Sequence, residues 1–321
     1  MAVLFVGLAV VVAVLGVVLV VRDRKTAASR HRERQCGHRR ANEYVLCPEQ
    51  RAAFFESGLA VLPNLLSEEE LAAIEEVCDR YLREGSSEKQ GKDFCDMSKP
   101  FDTPRSNYSI VNAMLPRRYY PELRNSVYEQ VAASIARQLF PDVRMELDYD
   151  QLLDKRPGAS DAVFAWHQDM AYWPSREMTP DTRTVTFSLA LDATSKRNGC
   201  IRYVPGSGRS RSLRPHLPLG RSRDEAHAIV ASVGPDEPVL FAEVPRGGVS
   251  IHDEYVVHGS GGNLSEGPRR TYVIAFRTED TVRRERSAGF THSHNDEVNW
   301  DAFNQWGGRD TPDVTPSSQA L

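Results

Sequence analysis

Trp166-His167-Gln168-Asp169 is the first place in this chain where residue types and spacing suggest chemistry. On an extended strand successive side chains alternate faces, so His167 and Asp169 project together and Gln168 is opposed. An imidazole and a carboxylate on one face can hold two adjacent positions on a metal. Ninety-one residues after His167 comes His258-Gly259-Ser260-Gly261, then Asn263, then Arg269-Arg270 opening a β-rich run. A third ligand at His258 would complete two histidines and one carboxylate, the facial arrangement of non-haem Fe(II) oxygenases, which leaves positions open for a co-substrate and dioxygen. Catalytic zinc uses the same ligand types, so a zinc-dependent hydrolase stays open. So does a non-catalytic, barrel-shaped binding protein in which the His–Asp pair is only hydrogen bonded. Arg269 bears on the choice, because its planar, permanently charged guanidinium suits a bidentate carboxylate, and a hydrolase would leave it none to bind. Along residues 269–276 one face carries Arg269, Thr271, Val273 and Ala275, small companions that leave room for a ligand. Tyr272, Ile274 and Phe276 on the other face read as packing.

Taken together, His167-Gln168-Asp169, Asn198-Gly199-Cys200, Pro205-Gly206-Ser207 and His258-Gly259-Ser260-Gly261 with Asn263 and Arg269 resemble the phytanoyl-CoA dioxygenase family over residues 45–280. The resemblance implies an oxygenase dependent on Fe(II) and 2-oxoglutarate, with ascorbate as a supporting reductant. It implies a mainly β fold with flanking helices, a double-stranded β-helix (a cupin-like jelly roll). His167, Asp169 and His258 match the iron ligands. Arg269 matches the residue that binds the distal carboxylate of 2-oxoglutarate, with Ser260 as a helper. Gln168, Lys155 and Gln151 match positions near the co-substrate. The implied reaction hydroxylates an aliphatic carbon and releases succinate and CO2. Halogenating relatives carry a small residue where this chain keeps Asp169, which favours hydroxylation. Two positions depart from the pattern. Gly208 stands where a histidine often follows Pro-Gly-Ser, and His252, six residues before His258, is read as structural rather than ligating.

These residues need a scaffold, and 321 residues of 36.0 kDa with 40% apolar content can bury a substantial core. Residues 49–58 look helical. Ser67 opens a second helix with Glu70 three residues on, a capping-box pattern, and Leu71, Ile74, Cys78 and Tyr81 recur at helical spacing. Residues 127–140 give a third amphipathic helix, and residues 84–99 read as a loop. From residue 145 short β-rich runs alternate with Gly, Pro and Asn turns, among them 145–153, 163–167, 184–191, 200–204, 239–244, 249–251, 255–258 and 269–277.

Residues 1–21 are apolar throughout, long enough for one transmembrane helix, with no basic residue ahead of them as a cleaved signal would have. Residues 1–40 carry net +6, all of the basic side chains lying after the span, so a single-pass anchor with the catalytic domain on the cytoplasmic side is expected. The organisation is therefore read as anchor 1–21, basic linker 22–42, dioxygenase domain 43–300 and mobile tail 301–321. The remainder of the chain carries net −10, which disfavours nucleic acid as a partner. Five scattered cysteines without a CxxC pair argue against a zinc ribbon or a disulfide framework. Tyr172-Trp173-Pro174 is placed to form a pocket rim. Arg209, Arg211, Arg214, Arg221 and Arg223 form a local basic loop that would suit an anionic substrate such as an acyl-CoA. The expected partner is thus a small or lipid-like molecule.

Overall fold

The computed structural model describes residues 37–176, 179–220 and 226–298. The apolar run 1–21, the linker as far as residue 36, Arg221, Arg223 and the tail 301–321 lie outside the described residues. Among the described residues no helix is long and apolar enough to cross a membrane.

In chain order the strands are β1 His38–Arg40, β2 Glu43–Val45, β3 Leu59–Leu62, β4 Phe94–Cys95, β5 Ile110–Met114, β6 Met145–Lys155, β7 Phe164–His167 and β8 Thr184–Ala190. They continue with β9 Ile201–Tyr203, β10 His216–Pro218, β11 Ile229–Ala231, β12 Leu240–Phe241, β13 Val249–His252, β14 His258–Ser260 and β15 Arg269–Thr278. The longer helices are α1 Pro48–Ser57, α2 Glu68–Glu84, α3 Val127–Leu139 and α4 Glu279–Ser287. A seven-stranded sheet runs β3-β13-β8-β15-β6-β5-β4 and a four-stranded sheet β12-β9-β14-β7, every pair antiparallel. Strands β6, β8, β13 and β15 belong to the large sheet and β7, β9, β12 and β14 to the small one. Each of β6, β7 and β8 is thus followed by a strand of the opposite sheet, as are β12, β13 and β14. That switching is consistent with a jelly roll.

Local sequence explains the helices that brace this frame. Ser67 accepts from the Glu70 backbone N–H while the Glu70 carboxylate accepts from the Ser67 N–H, the capping box expected from the sequence. Below it Leu71, Ile74, Cys78 and Tyr81 are buried, joining Phe187, Leu189, Tyr272 and Ile274 in one core on the outer side of the large sheet. Tyr128 of α3 fixes that helix to the sheet by donating to the Phe187 carbonyl at 3.1 Å. The alternation read along residues 269–276 holds: Tyr272, Ile274 and Phe276 face this core, while Arg269 and Val273 line a pocket between the two sheets.

Three expectations shift. Residues 38–40, read as linker, pair with β2, and Arg39 reaches Leu65 O at 2.6 Å and Glu70 at 2.9 Å, so the folded body takes in part of the basic flank. The stretch 84–99 holds a short helix at Ser87–Gln90 and the edge strand β4 rather than loop alone. The run 255–258 contributes only its last residue to a strand, because Asp253 accepts from the Tyr255 and Val256 N–H groups and turns the chain there.

Candidate active site

His167 ends β7 and His258 begins β14, and the two are direct cross-strand partners. That register alone brings their ring centroids to 4.2 Å. The close approach requires Gly259, since a Cβ there would lie 2.8 Å from the Phe164 carbonyl oxygen. After His167 the chain turns tightly at Asp169–Tyr172, which carries the Asp169 carboxylate back to the imidazoles. Asp169 Oδ1 is 3.6 Å from His167 Nε2 and 3.4 Å from His258 Nε2. Donor atoms of the three residues all lie within 4.8 Å of one another.

The protonation pattern suits a cation. His167 Nδ1 lies 2.8 Å from Ala165 O, and His258 Nδ1 lies 3.1 Å from Val256 O. A carbonyl only accepts, so each Nδ1 carries the proton and each Nε2 lone pair faces inward, as a metal-binding imidazole requires. Burial and then the neighbouring His167 push His258 well below the usual histidine range, keeping it neutral. Burial alone would raise the Asp169 carboxyl, but the surrounding imidazoles, His258 first, hold it well below the usual carboxylate range. Two imidazole Nε2 donors and one carboxylate oxygen fit Fe(II).

Arg269 sits at the start of β15, 1% exposed, with Nε and Nη2 buried and unpartnered. Its acidic neighbours are Cys200, Tyr203 and Asp192. Burial pushes the Cys200 thiol up to about 11 and the Tyr203 hydroxyl higher still, so both stay neutral. Asp192 is already engaged by Arg270 at 2.7 Å. Burial without a counter-charge accordingly pulls Arg269 down to about 10. Across the ladder from it stands Lys155, fully buried, whose Nζ donates to Ser260 Oγ at 2.7 Å and to the Gly261 carbonyl. Arg269, a buried cation without a carboxylate partner among the described residues and opening on the same pocket as the His–Asp–His cluster, calls for an anion from outside the chain.

A family profile described as Phytanoyl-CoA dioxygenase (PhyH) matches residues 54–271. The chain belongs to the phytanoyl-CoA dioxygenase family. It is 24% identical over 258 residues to the ectoine dioxygenase of Bordetella parapertussis, covering 74% of this chain and 77% of that one. To the peroxisomal phytanoyl-CoA dioxygenase of Mus musculus it is 24% identical over 242 residues, covering 74% and 70%. Its fold is similar to that of EvdO2 from Micromonospora carbonacea var. aurantiaca complexed with 2-oxoglutarate, with a TM-score of 0.59 and 26% identity over 73% of this chain and 91% of that one.

Not every residue carried over from the phytanoyl-CoA dioxygenase pattern reaches the pocket. Ser260 and Gln151 line it. Lys155 acts through Ser260. Gln168 does not: it is fully buried on the opposite face, donating to Tyr255 O at 2.6 Å and accepting from the Arg214 N–H at 2.8 Å. The alternation that sends His167 and Asp169 inward sends Gln168 into the loop behind, so its role is to fix that loop. His216 supplies a fixing contact that sequence reasoning missed. Its Nδ1 donates to Arg214 O at 2.7 Å and its Nε2 accepts the Gln168 N–H at 3.2 Å, midway between His167 and Asp169. Burial lowers His216 to about 4, which keeps that acceptor available. At Gly208 a Cβ would lie 2.9 Å from the Tyr255 and Val256 backbone, so this loop has no room for the histidine the family often has.

Tyr172 and Trp173 line the pocket as expected, and the Tyr172 hydroxyl also accepts from the Ile229 N–H at 3.0 Å. The basic loop is different. Arg211 pairs with buried Glu254 and lies over the Tyr255 ring, Arg214 pairs with Glu237 at 2.9 Å, and Arg209 donates to the Glu56 carbonyl at 2.7 Å. Those three guanidiniums hold the loop to the body, which removes the reason to read them as an acyl-CoA site. Unforeseen pocket residues come from the chain after α4, where Phe290, His292 and His294 form one wall. Asp148, Glu285 and His292 also form a compact acidic cluster, but Arg277 and Arg286 already neutralise it, which marks it as an ion network rather than a metal centre.

Proposed function

We propose that this dioxygenase hydroxylates an aliphatic carbon of a small, uncharged or anionic molecule, with His167, Asp169 and His258 holding iron and Arg269 holding 2-oxoglutarate. Fe(II) with 2-oxoglutarate, when bound, would supply the oxidising chemistry with dioxygen as the oxidant, one oxygen atom going to the substrate as hydroxyl and the other to succinate as CO2 is lost. The protein orients and excludes. His167 and His258 present Nε2, Asp169 presents one oxygen, and Arg269 grips the distal carboxylate beside a Ser260 hydroxyl fixed by Lys155. Tyr149, Tyr172, Trp173 and Phe290 wall the opposite side of the pocket and keep water from the reacting carbon.

The observation that carries this reading is the buried, unpartnered guanidinium of Arg269 opening on the same pocket as the His–Asp–His cluster. A zinc hydrolase has no use for it. Among the described residues Asp169 is the sole carboxylate lining the pocket, so a cationic substrate would meet no counter-ion beyond the metal's own ligand. Relatives named for compounds as unlike as ectoine and phytanoyl-CoA match this chain at the same 24% identity, and fold does not choose between them. Tethering by residues 1–21 is read from sequence alone. The basic flank favours the cytoplasmic face, and protease protection in sealed vesicles tests that orientation.

The test is succinate release from 2-oxoglutarate by the purified chain with Fe(II) and ascorbate, screened over acyl-CoAs, fatty acids and small polar metabolites. His167→Ala should abolish it. Retained turnover in that variant would remove the ligand assignment.

A further inference from the structure

A second cavity, a cleft of ≈460 Å³, lies on the other side of the pocket wall, bordered by Arg117, Arg118, Arg124 and Arg286 with Asp148 and Asp150 at its base. In a body carrying net −10, four guanidiniums around one hollow need an explanation. Their partners leave a surplus of positive charge. Arg124 donates through Nε to the Arg117 carbonyl at 3.0 Å and has no carboxylate partner among the described residues. Arg118, about half exposed, comes no nearer to a carboxylate of the described residues than 3.9 Å, at Asp93, and donates to Thr291. Arg117 pairs with Glu129 at 3.2 Å, yet its Nε is buried and unpartnered. Arg286 is held by Asp148.

The acids at the base do not make up the difference. Asp148 is shared among Arg277, Arg286 and His292. Asp150 is occupied by the Arg117 backbone N–H at 2.8 Å and the Tyr272 hydroxyl at 2.9 Å, and burial favours its neutral form. The backbone is also committed to this arrangement. Leu115 takes a left-handed conformation at φ 52°, a costly one for a branched side chain, and its N–H bonds Asp150 O at 2.9 Å. That turn is what sets Arg117 and Arg118 beside the hollow.

We propose that this cleft is a binding site for a phosphoryl group, a phosphate dianion free or esterified, held mainly by Arg118 and Arg124. A tetrahedral dianion can accept from two guanidinium forks together, whereas a carboxylate satisfies one. The site adjoins the active-site pocket through a wall one residue thick. Met114 lines the pocket and Leu115 the cleft, and Phe290 and His292 line the pocket while Thr291 lines the cleft. A phosphoryl group on Arg118 therefore touches the segment that closes the pocket. The group could belong to a remote part of the substrate or to a separate effector.

Inorganic phosphate titrated into the full-length protein, followed by calorimetry and by melting temperature, tests the site, with acetate as the comparison anion. The wild type should bind phosphate, and Arg118→Gln/Arg124→Gln should bind at least tenfold more weakly while melting unchanged without phosphate. Arg124→Lys, which keeps the charge and loses the fork, should fall between. Equal binding by wild type and double variant, or acetate binding as tightly as phosphate, overturns the proposal. Phosphate that leaves uncoupled 2-oxoglutarate turnover unchanged assigns the site to a substrate's own phosphoryl group. A change in that turnover seen in wild type but not in the double variant assigns it to an effector, and excludes simple removal of iron as the cause.

Discussion

His252 Nε2 stands 3.2 Å from Asp169 Oδ2, while Asp169 Oδ1 faces His167 and His258. The two oxygens of one carboxylate thus have separate tasks. Oδ1 is turned to the centre, and Oδ2 is steadied by the His252 N–H and by the Thr186 hydroxyl at 3.3 Å. On the other side of its ring, His252 Nδ1 meets the Tyr203 hydroxyl at 3.1 Å, which holds the ring in place. The third histidine near the cluster is therefore a positioning residue, as its place on β13 rather than beside β14 requires.

His252→Phe should weaken iron affinity by about 10–100-fold, the usual effect of losing a partner that orients a ligand. His252→Gln, which retains an N–H for Oδ2, should recover most of it. Competition with a chromophoric chelator measures both. If the two variants bind iron equally, the hydrogen bond does not orient Asp169.

Arg269→Ala should raise the KM for 2-oxoglutarate by roughly a hundredfold, about 3 kcal/mol for a buried charge-assisted pair. Arg269→Lys should fall between, because it keeps charge but loses the planar fork. Succinate release at varied 2-oxoglutarate gives the number. A variant with unchanged KM would place the distal carboxylate elsewhere.

Asp148 binds together the base of the pocket wall. It is the extra residue of a β-bulge, since Ala275 pairs with Tyr149 and Phe276 with Leu147, and the bulge re-aims its side chain. There it meets Arg277 at 3.0 Å, His292 at 2.7 Å and Arg286, all with the carboxylate fully buried. Asp148→Asn leaves buried Arg277 with Glu285 alone and should cost about 3–5 kcal/mol. Urea unfolding measures that loss. A variant as stable as the wild type would show the network to be dispensable.

What the sequence made legible was periodic or motif-like. The alternation along β15 separated Arg269 from the core face, the Ser67–Glu70 pair located the start of α2, and the two-residue spacing of His167 and Asp169 put both on the inner face. What it hid depends on contacts between distant segments. Nothing in Arg211 or Arg214 announces that Glu254 and Glu237 will engage them, so a loop engaged in internal ion pairs read as a free basic surface. Gln168 was placed on the correct face by alternation and given the wrong neighbour by resemblance. The wall at Phe290, His292 and His294 follows a helix with no motif of its own, and it is set by Asp93 holding Ser293 at 2.9 Å and the His294 N–H at 2.7 Å, two hundred positions back along the chain.

Asp150 gives the fold a pH dependence whose sign is fixed. It is 2% exposed, accepts from the Arg117 N–H and the Tyr272 hydroxyl, and feels the Arg117 guanidinium and the Glu129 carboxylate nearby. Burial dominates and raises its carboxyl to about 7. In the unfolded chain the same group titrates near 4. Between those values the native state holds a proton that the unfolded chain has released, so stability falls as pH rises through this window. The contribution is complete below about pH 4 and lost once pH passes about 7. Asp150→Asn keeps an acceptor for both donors and removes the titration. Urea unfolding at several pH values should show wild type losing stability relative to the variant from pH 5 to pH 8, with the gap closing at the acid end. A wild-type-minus-variant difference that does not change with pH would mean Asp150 is ionised in the folded protein, with Arg117 rather than burial setting its charge.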